Sequence, residues 1–305
     1  MVCDRFGRPI RDIRVSLTHR CNLRCIYCHG EGECNPGGEL EASEIERIVA
    51  VAAGEGVRRV KLTGGEPLLR RDVFEVVERL SSVPGIEEVS MTTNATLLAD
   101  KASELREVGL RRVNVSLDSL VPEKYRMITG FDRLDSVIRG IDEAVGAGLN
   151  PVKVNMVLLK GVNEDEVWDL VQFSRERDAI LQVIELVDFG DKAFFQRFHA
   201  DVGPLESELL RLAERVATRS MHKRKKYFLP GGGEVEVVRP VHNSDFCSNC
   251  TRIRLTSDGK LKPCLMRNDN LVDVATPLRK GADSKALRKL FLRAVELREP
   301  YYRAK

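Results

Sequence analysis

No stretch of the 305-residue chain approaches the roughly 20 consecutive apolar residues that a membrane helix needs. The opening MVCDRFGRPIRDIRV also lacks the apolar heart of a signal peptide. These two absences lead to the expectation of a cytoplasmic protein without a membrane partner. An excess of one charge is missing as well: 49 Lys and Arg against 46 Asp and Glu leave +3, too little for a general nucleic-acid footprint. The one dense basic run is Lys223-Arg224-Lys225-Lys226, whose plain reading is a solvated face. No spacing repeats regularly enough for a solenoid. With 43% hydrophobic and 31% charged residues, the chain can bury a full core and stay in solution.

The most telling shortage is of a fourth cysteine. Of eight cysteines, six fall in two tight groups, Cys21, Cys25, Cys28 and Cys247, Cys250, Cys264, leaving Cys3 and Cys34 as expected free thiols. Such grouping in a reducing compartment favours metal ligation over disulfides. The spacings are C-x3-C-x2-C and C-x2-C-x13-C, three soft ligands each, where all-protein iron and zinc sites usually have four. A four-iron cluster on three thiolates keeps one iron open, and an open iron can hold a substrate directly.

Around these groups, short β-branched runs alternate with helical periodicity, which predicts parallel βα units. Expected strands are Ile13 to Leu17, Arg59 to Thr63, Glu87 to Thr92, Arg112 to Leu117, Val152 to Leu158 and Leu181 to Val187. Expected helix starts include a capping box of Ser43 with Glu46, repeated by Asn163 with Glu166. Leu134, Val137, Ile138, Ile141 and Val145 form an apolar stripe, and Ser284 to Leu297 a closing helix. Polar residues gather at the carboxyl ends of the strands, as at a barrel mouth. Lys153, Asn155 and Glu185 lie inside strands and need a partner or ligand there. The fold class expected is α/β: a partial (βα)6 TIM-type barrel over 1–222, left open on one side. A smaller C-terminal portion, 223–305, carries the second cysteine group and a hairpin at Ser257-Asp258-Gly259.

The first cysteine group, with Tyr27 inside it and TGGEP at Thr63 to Pro67, is similar to the radical S-adenosylmethionine (SAM) superfamily. That resemblance implies that the amino and carboxylate groups of SAM fill the open iron of a [4Fe-4S] cluster on Cys21, Cys25 and Cys28. An electron from the cluster then yields a 5′-deoxyadenosyl radical that abstracts hydrogen from a substrate. Tyr27, Gly64, Gly65, Glu66, Ser116 and Val187 are the implied cofactor-binding positions, glycine suiting a close backbone approach.

The second group, inside FCSNCTRIRLTSDGKLKPCL, resembles the GTP 3′,8-cyclase family of molybdenum cofactor biosynthesis, its archaeal members in particular. Agreement runs from GRPIRDIRVSLTHRCNLRC through LTGGEP, MTTNA, RRVNVSLDSL and KVNMV, nearly the whole chain. The resemblance implies a lyase that converts GTP to (8S)-3′,8-cyclo-7,8-dihydroguanosine 5′-triphosphate, the first step of molybdopterin biosynthesis. It implies a second [4Fe-4S] cluster on Cys247, Cys250 and Cys264, whose open iron faces the guanine base. Arg14, Lys61, Thr92, Lys153, Arg252, Ile253 and Arg254 match GTP-binding positions. Independently of the resemblance, a triphosphate wants several Arg and Lys converging from different elements. Arg252 and Arg254 flank Ile253, so both point to one face of a strand. Implied partners are GTP, a reductant, and a downstream cyclic pyranopterin synthase by metabolite hand-off, with a homodimer among the allowed states.

The match departs in places. Gln182 stands where Arg is usual, with Lys223 to Lys226 as the expected source of compensating charge, and Val187 replaces a Met beside SAM. Many family members finish in two glycines that reach the active site, whereas this sequence ends REPYYRAK. His29 reads as a loop residue. Competing readings are a two-cluster radical SAM enzyme acting on a peptide, and an iron–sulfur carrier whose second group, with His242, holds structural zinc.

Overall fold

The computed structural model describes residues 2–33 and 37–303, so the expectation for Cys34 falls outside the described residues. Six strands appear where β-branched runs lie: β1 Asp12–Ser16, β2 Arg59–Thr63, β3 Glu88–Thr93, β4 Leu110–Ser116, β5 Lys153–Leu158 and β6 Ile180–Glu185. Each pairs in parallel with its sequence neighbour, and helices between them cover the outer face. Both faces of such strands are buried, which is why Val, Ile and Leu recur along them.

The remaining strands are β7 Arg215–Thr218, β8 Lys225–Phe228, β9 Glu234–Val238, β10 Arg252–Leu255, β11 Lys260–Lys262 and β12 Val272–Asp273. They complete one sheet, ordered β12-β11-β10-β1-β2-β3-β4-β5-β6-β9-β8-β7. β10 pairs in parallel with β1, and β9 in parallel with β6. Two strands from the C-terminal portion therefore extend the parallel set to eight, with antiparallel pairs at both margins. The expected boundary at residue 222 lies inside the β7–β8 hairpin, where Arg215 pairs with Phe228, so the sheet runs through it. From β9 to β10 the chain passes from one margin of the parallel set to the other, and residues 239–251 of that crossing carry Cys247 and Cys250.

Helices follow the stripes. The helix Leu134–Gly146 buries Leu134, Val137 and Ile141, and the closing helix Ser284–Glu296 buries Leu287, Phe291 and Val295. Both expected caps need correction. The helix Ala42–Gly54 starts ahead of Ser43, and the Glu44 carboxylate accepts from the Glu41 backbone N–H at 2.9 Å. Asn163 is buried and caps nothing: its amide donates to the carbonyls of Asp118 and Val157 and its oxygen accepts from Leu159 N, tying two loops together.

Candidate active site

The first cysteine loop leaves β1 and folds against the TGGEP turn. Gly65 N donates to Thr18 O at 2.6 Å and Glu66 N to Arg20 O at 2.8 Å. A Cβ on Gly64 would lie 2.3 Å from Thr18 O, and one on Gly65 2.2 Å from Arg20 O. The two glycines are thus required by the backbone of the cysteine loop itself. Glu66 is fully buried and turned away from the cavity. Its carboxylate accepts from Leu68 N, Thr93 Oγ1 and Asn94 N at 3.0, 2.7 and 2.7 Å, and burial pushes it up to about 7. Its side chain therefore fastens the turn to the end of β3. Tyr27 donates to Asp118 Oδ2 at 2.6 Å, and Asp118, lifted by burial to about 6, also accepts from Val157 N.

The second group is held by ion pairs from both chain ends. Arg8 Nη1 donates to Cys247 O at 2.9 Å, and Arg298 Nη2 to Cys250 O at 2.6 Å. Between them lies Asp4, whose Oδ2 accepts from Arg8 Nε at 2.8 Å and lies 2.9 Å from Arg298 Nη1. Asp4 and Arg298 side chains are fully buried. Tyr302 N donates to Cys247 Sγ at 3.4 Å. Sequence reading missed this clamp because its members lie almost 300 residues apart and belong to no motif.

A cavity of about 660 Å³ opens between these regions. All three cysteines of the second group line it, as do Tyr27 and Val187 on the side of the first loop. Arg14, Lys61, Thr92, Lys153, Arg252 and Arg254 all line it too. Ile253 does not: its side chain is fully buried in the core, on the opposite face of β10. Gly64, Gly65 and Ser116 are likewise outside the lining. The basic run divides, which corrects its reading as one patch: Arg224 and Lys226 line the cavity, whereas Lys223 and Lys225 are exposed.

Crowding of buried cations governs the cavity's electrostatics. Burial, with Arg252, Arg254 and Arg224 nearby, brings Arg14 down to about 9. Lys61, buried among Arg112, Arg14 and Arg252, is pushed well below its ordinary value and donates to Asn114 Oδ1 at 2.6 Å. Glu31, which sequence reading overlooked, lies 3.4 Å from Arg14 and 2.6 Å from Arg254, and accepts from Thr63 Oγ1. Despite burial, those cations hold it down to about 2. His29 stacks on Phe189 with centroids 4.1 Å apart, and burial drives it down to about 4, so the ring is neutral. His242 packs against the Tyr302 ring at 5.0 Å.

Residues 15–174 match the Radical SAM superfamily, and residues 179–304 match Molybdenum Cofactor Synthesis C. A protein of Methanothermobacter thermautotrophicus named "Probable GTP 3′,8-cyclase" is 52% identical over 305 residues, 99% of each chain. This chain belongs to the GTP 3′,8-cyclase family of radical SAM proteins. Same-named relatives from Pyrococcus abyssi and Archaeoglobus fulgidus are 50% and 46% identical, each over 99% of this chain and 100% of their own length. Among solved structures, Streptococcus suis SuiB bound to precursor peptide SuiA superposes with a TM-score of 0.65 at 19% identity. The match covers 97% of this chain and 66% of SuiB. Native anSMEcpe with bound AdoMet gives 0.58 at 16%, over 95% and 81%. At those identities the likeness concerns the fold, a partial TIM-type barrel.

The cofactors of this family are SAM and two [4Fe-4S] clusters. The residues present fit them. Each group offers three soft thiols with no disulfide among them, a donor set suited to a cluster with one open iron. Burial raises the pKa of Cys21, Cys25, Cys247 and Cys264, and neighbouring cysteines add to the rise. Gathering thiolates there without iron would be costly, and a bound cluster supplies the compensating charge.

Proposed function

We infer that this chain cyclises GTP to (8S)-3′,8-cyclo-7,8-dihydroguanosine 5′-triphosphate, the first step of molybdopterin biosynthesis. The observation that carries this reading is a single cavity lined by Tyr27 of the first cysteine loop, by all three cysteines of the second group, and by Arg14, Lys61, Lys153, Arg224, Arg252 and Arg254 among other cations. Cys21, Cys25 and Cys28 hold the cluster that meets SAM, and Cys247, Cys250 and Cys264 the cluster that faces guanine. When bound, the first cluster and SAM would supply a 5′-deoxyadenosyl radical to take up the 3′ hydrogen of the ribose; joining C3′ to C8 would leave a radical on the base, and one electron from the external reductant with one proton would complete the isomer. Both reacting atoms belong to one nucleotide, so the protein's task is to fix its shape and exclude water. Tyr27, the backbone at Gly64 and Gly65, Ser116 and Val187 bound the SAM side. Arg14, Lys61, Thr92, Lys153, Arg252 and Arg254 hold the nucleotide, with the Ile253 backbone between the two arginines.

On this reading residues 1–222 form the SAM-binding barrel and supply Arg14, Lys61, Thr92 and Lys153 to the substrate, while 223–305 carry the second cluster and supply Arg252 and Arg254. Among the described residues no helix is long and apolar enough to cross a membrane. A cytoplasmic site, an external reductant, hand-off to a cyclic pyranopterin synthase and a homodimer belong to the same proposal. The test is anaerobic reconstitution with SAM and a strong reductant, with 5′-deoxyadenosine measured with and without GTP and GTP followed by mass spectrometry. Deoxyadenosine that rises with GTP, alongside an isomer of unchanged mass, is the expected result. Equal deoxyadenosine in both samples, with GTP recovered intact, would discard GTP as substrate.

A further inference from the structure

One wall of the cavity, where β6, β9 and β8 meet, is built around a single carboxylate. Glu236 on β9 is fully buried and ion-paired with Lys153 from β5. Arg219 Nη1 lies 2.9 Å from Glu236 Oε1 and Arg224 Nη1 3.7 Å from Oε2, while Gln182 Nε2 donates to Oε2 at 2.8 Å. Lys226, directly across from Glu236 in the ladder, is ion-paired with Glu234. Lys226 Nζ also lies 3.7 Å from Glu236 Oε1, so Lys153, Arg219, Arg224 and Lys226 face Glu236 and Glu234, four positive charges against two negative. Lys153 and Arg219 make the close contacts. Arg224 is the under-satisfied member: its Nε is buried without a hydrogen-bond partner, and its nearest carboxylate contact is the 3.7 Å one. Burial and the neighbouring Arg219, Arg252 and Arg112 all disfavour its charge, which brings it down to about 10. A buried guanidinium with a free N–H at a cavity wall is an anion site waiting for its anion.

We propose that Arg224, with Arg219 beside it, forms the subsite for the phosphate chain of the substrate, while Glu236 positions Lys153 and the two guanidinium forks around it. The two unmatched positive charges suit a phosphate group, and planar forks bind phosphate through paired N–H donors where a lysine gives only a point charge. This rests on GTP being the substrate. It goes further by naming residues outside the motifs and by predicting selectivity for the length of the phosphate chain.

The test compares binding of GTP, GMP and inorganic tripolyphosphate to the reconstituted holoenzyme by calorimetry, for wild type, Arg224→Met, Arg224→Lys and Arg219→Met. Arg224→Met is expected to weaken GTP and tripolyphosphate at least tenfold, on the scale of a hydrogen bond to a charged group, with little change for GMP. Arg224→Lys should restore only part of the loss, and Lys225→Met, on the exposed face, none should be lost. Equal weakening of GTP and GMP, or none, overturns the subsite. Should Arg224→Met fail to fold, Arg219→Met and Arg224→Lys carry the same comparison. Wild-type enzyme that binds tripolyphosphate through Arg224 but ignores GTP would keep the subsite and sink the substrate; wild type that binds neither sinks both.

Discussion

Replacing Arg298 by Met tests how the second cysteine group is held. The substitution keeps much of the stem and removes a guanidinium that is fully buried, ion-paired with Asp4 and hydrogen-bonded to the carbonyls of Cys250 and Arg8 at 2.6 and 3.2 Å. Breaking a buried pair by deleting one partner costs about 3–5 kcal/mol. Asp4 retains Arg8 and two backbone donors, Phe6 N and Arg8 N, so the lower end applies, about 3 kcal/mol. In a chain of this size that corresponds to a fall in melting temperature of roughly 5–10 °C. The assay is thermal unfolding of the iron-free protein, run as a cycle with Asp4→Asn. If the two residues act as one unit, the double variant should lose at least ~1 kcal/mol less than the sum of the singles. Additive losses, or a loss below ~1 kcal/mol for Arg298→Met, would refute the clamp. Iron bound at the second group should fall in the same variant, since Cys247 and Cys250 lose the anchor of their loop.

Three further outcomes are expected. Glu66 titrates at about 7 when folded against 4.5 when free, so its contribution to stability is full below pH 4.5 and lost as pH rises through 7. Relative to Glu66→Gln, the wild type should therefore lose about 3 kcal/mol across that window, and parallel pH–stability curves would exclude a buried ionising Glu66. Gly65→Ala places a methyl 2.2 Å from a backbone carbonyl, and should displace the cysteine loop enough to lower iron uptake at the first group, read by iron analysis at unchanged sulfide supply. Reconstituted wild type should carry about eight irons per chain and no zinc, and a triple Cys→Ala at 247, 250 and 264 about four; zinc in the wild type would favour structural zinc at the second group.

What the sequence by itself determined is local. The six parallel strands, the closing helix and the two cysteine groups were legible because each depends on periodicity or spacing within a few residues. Arg14, Lys61, Thr92, Lys153, Arg252 and Arg254 were singled out by the family resemblance, and all six line one cavity. Tertiary structure decided the rest. That β9 and β10 join opposite margins of the parallel set depends on pairings between distant segments, which no local pattern encodes. The basic run at 223–226 could be divided only once the chain had folded: Lys226 pairs across from Glu236, and Arg224 and Lys226 line the cavity. The three hydrogen bonds that the buried Glu66 carboxylate accepts inside the fold were not legible from its motif. Glu236 and Arg298 had no motif at all: a buried charge takes its meaning from its partner, and those partners are brought together only by folding.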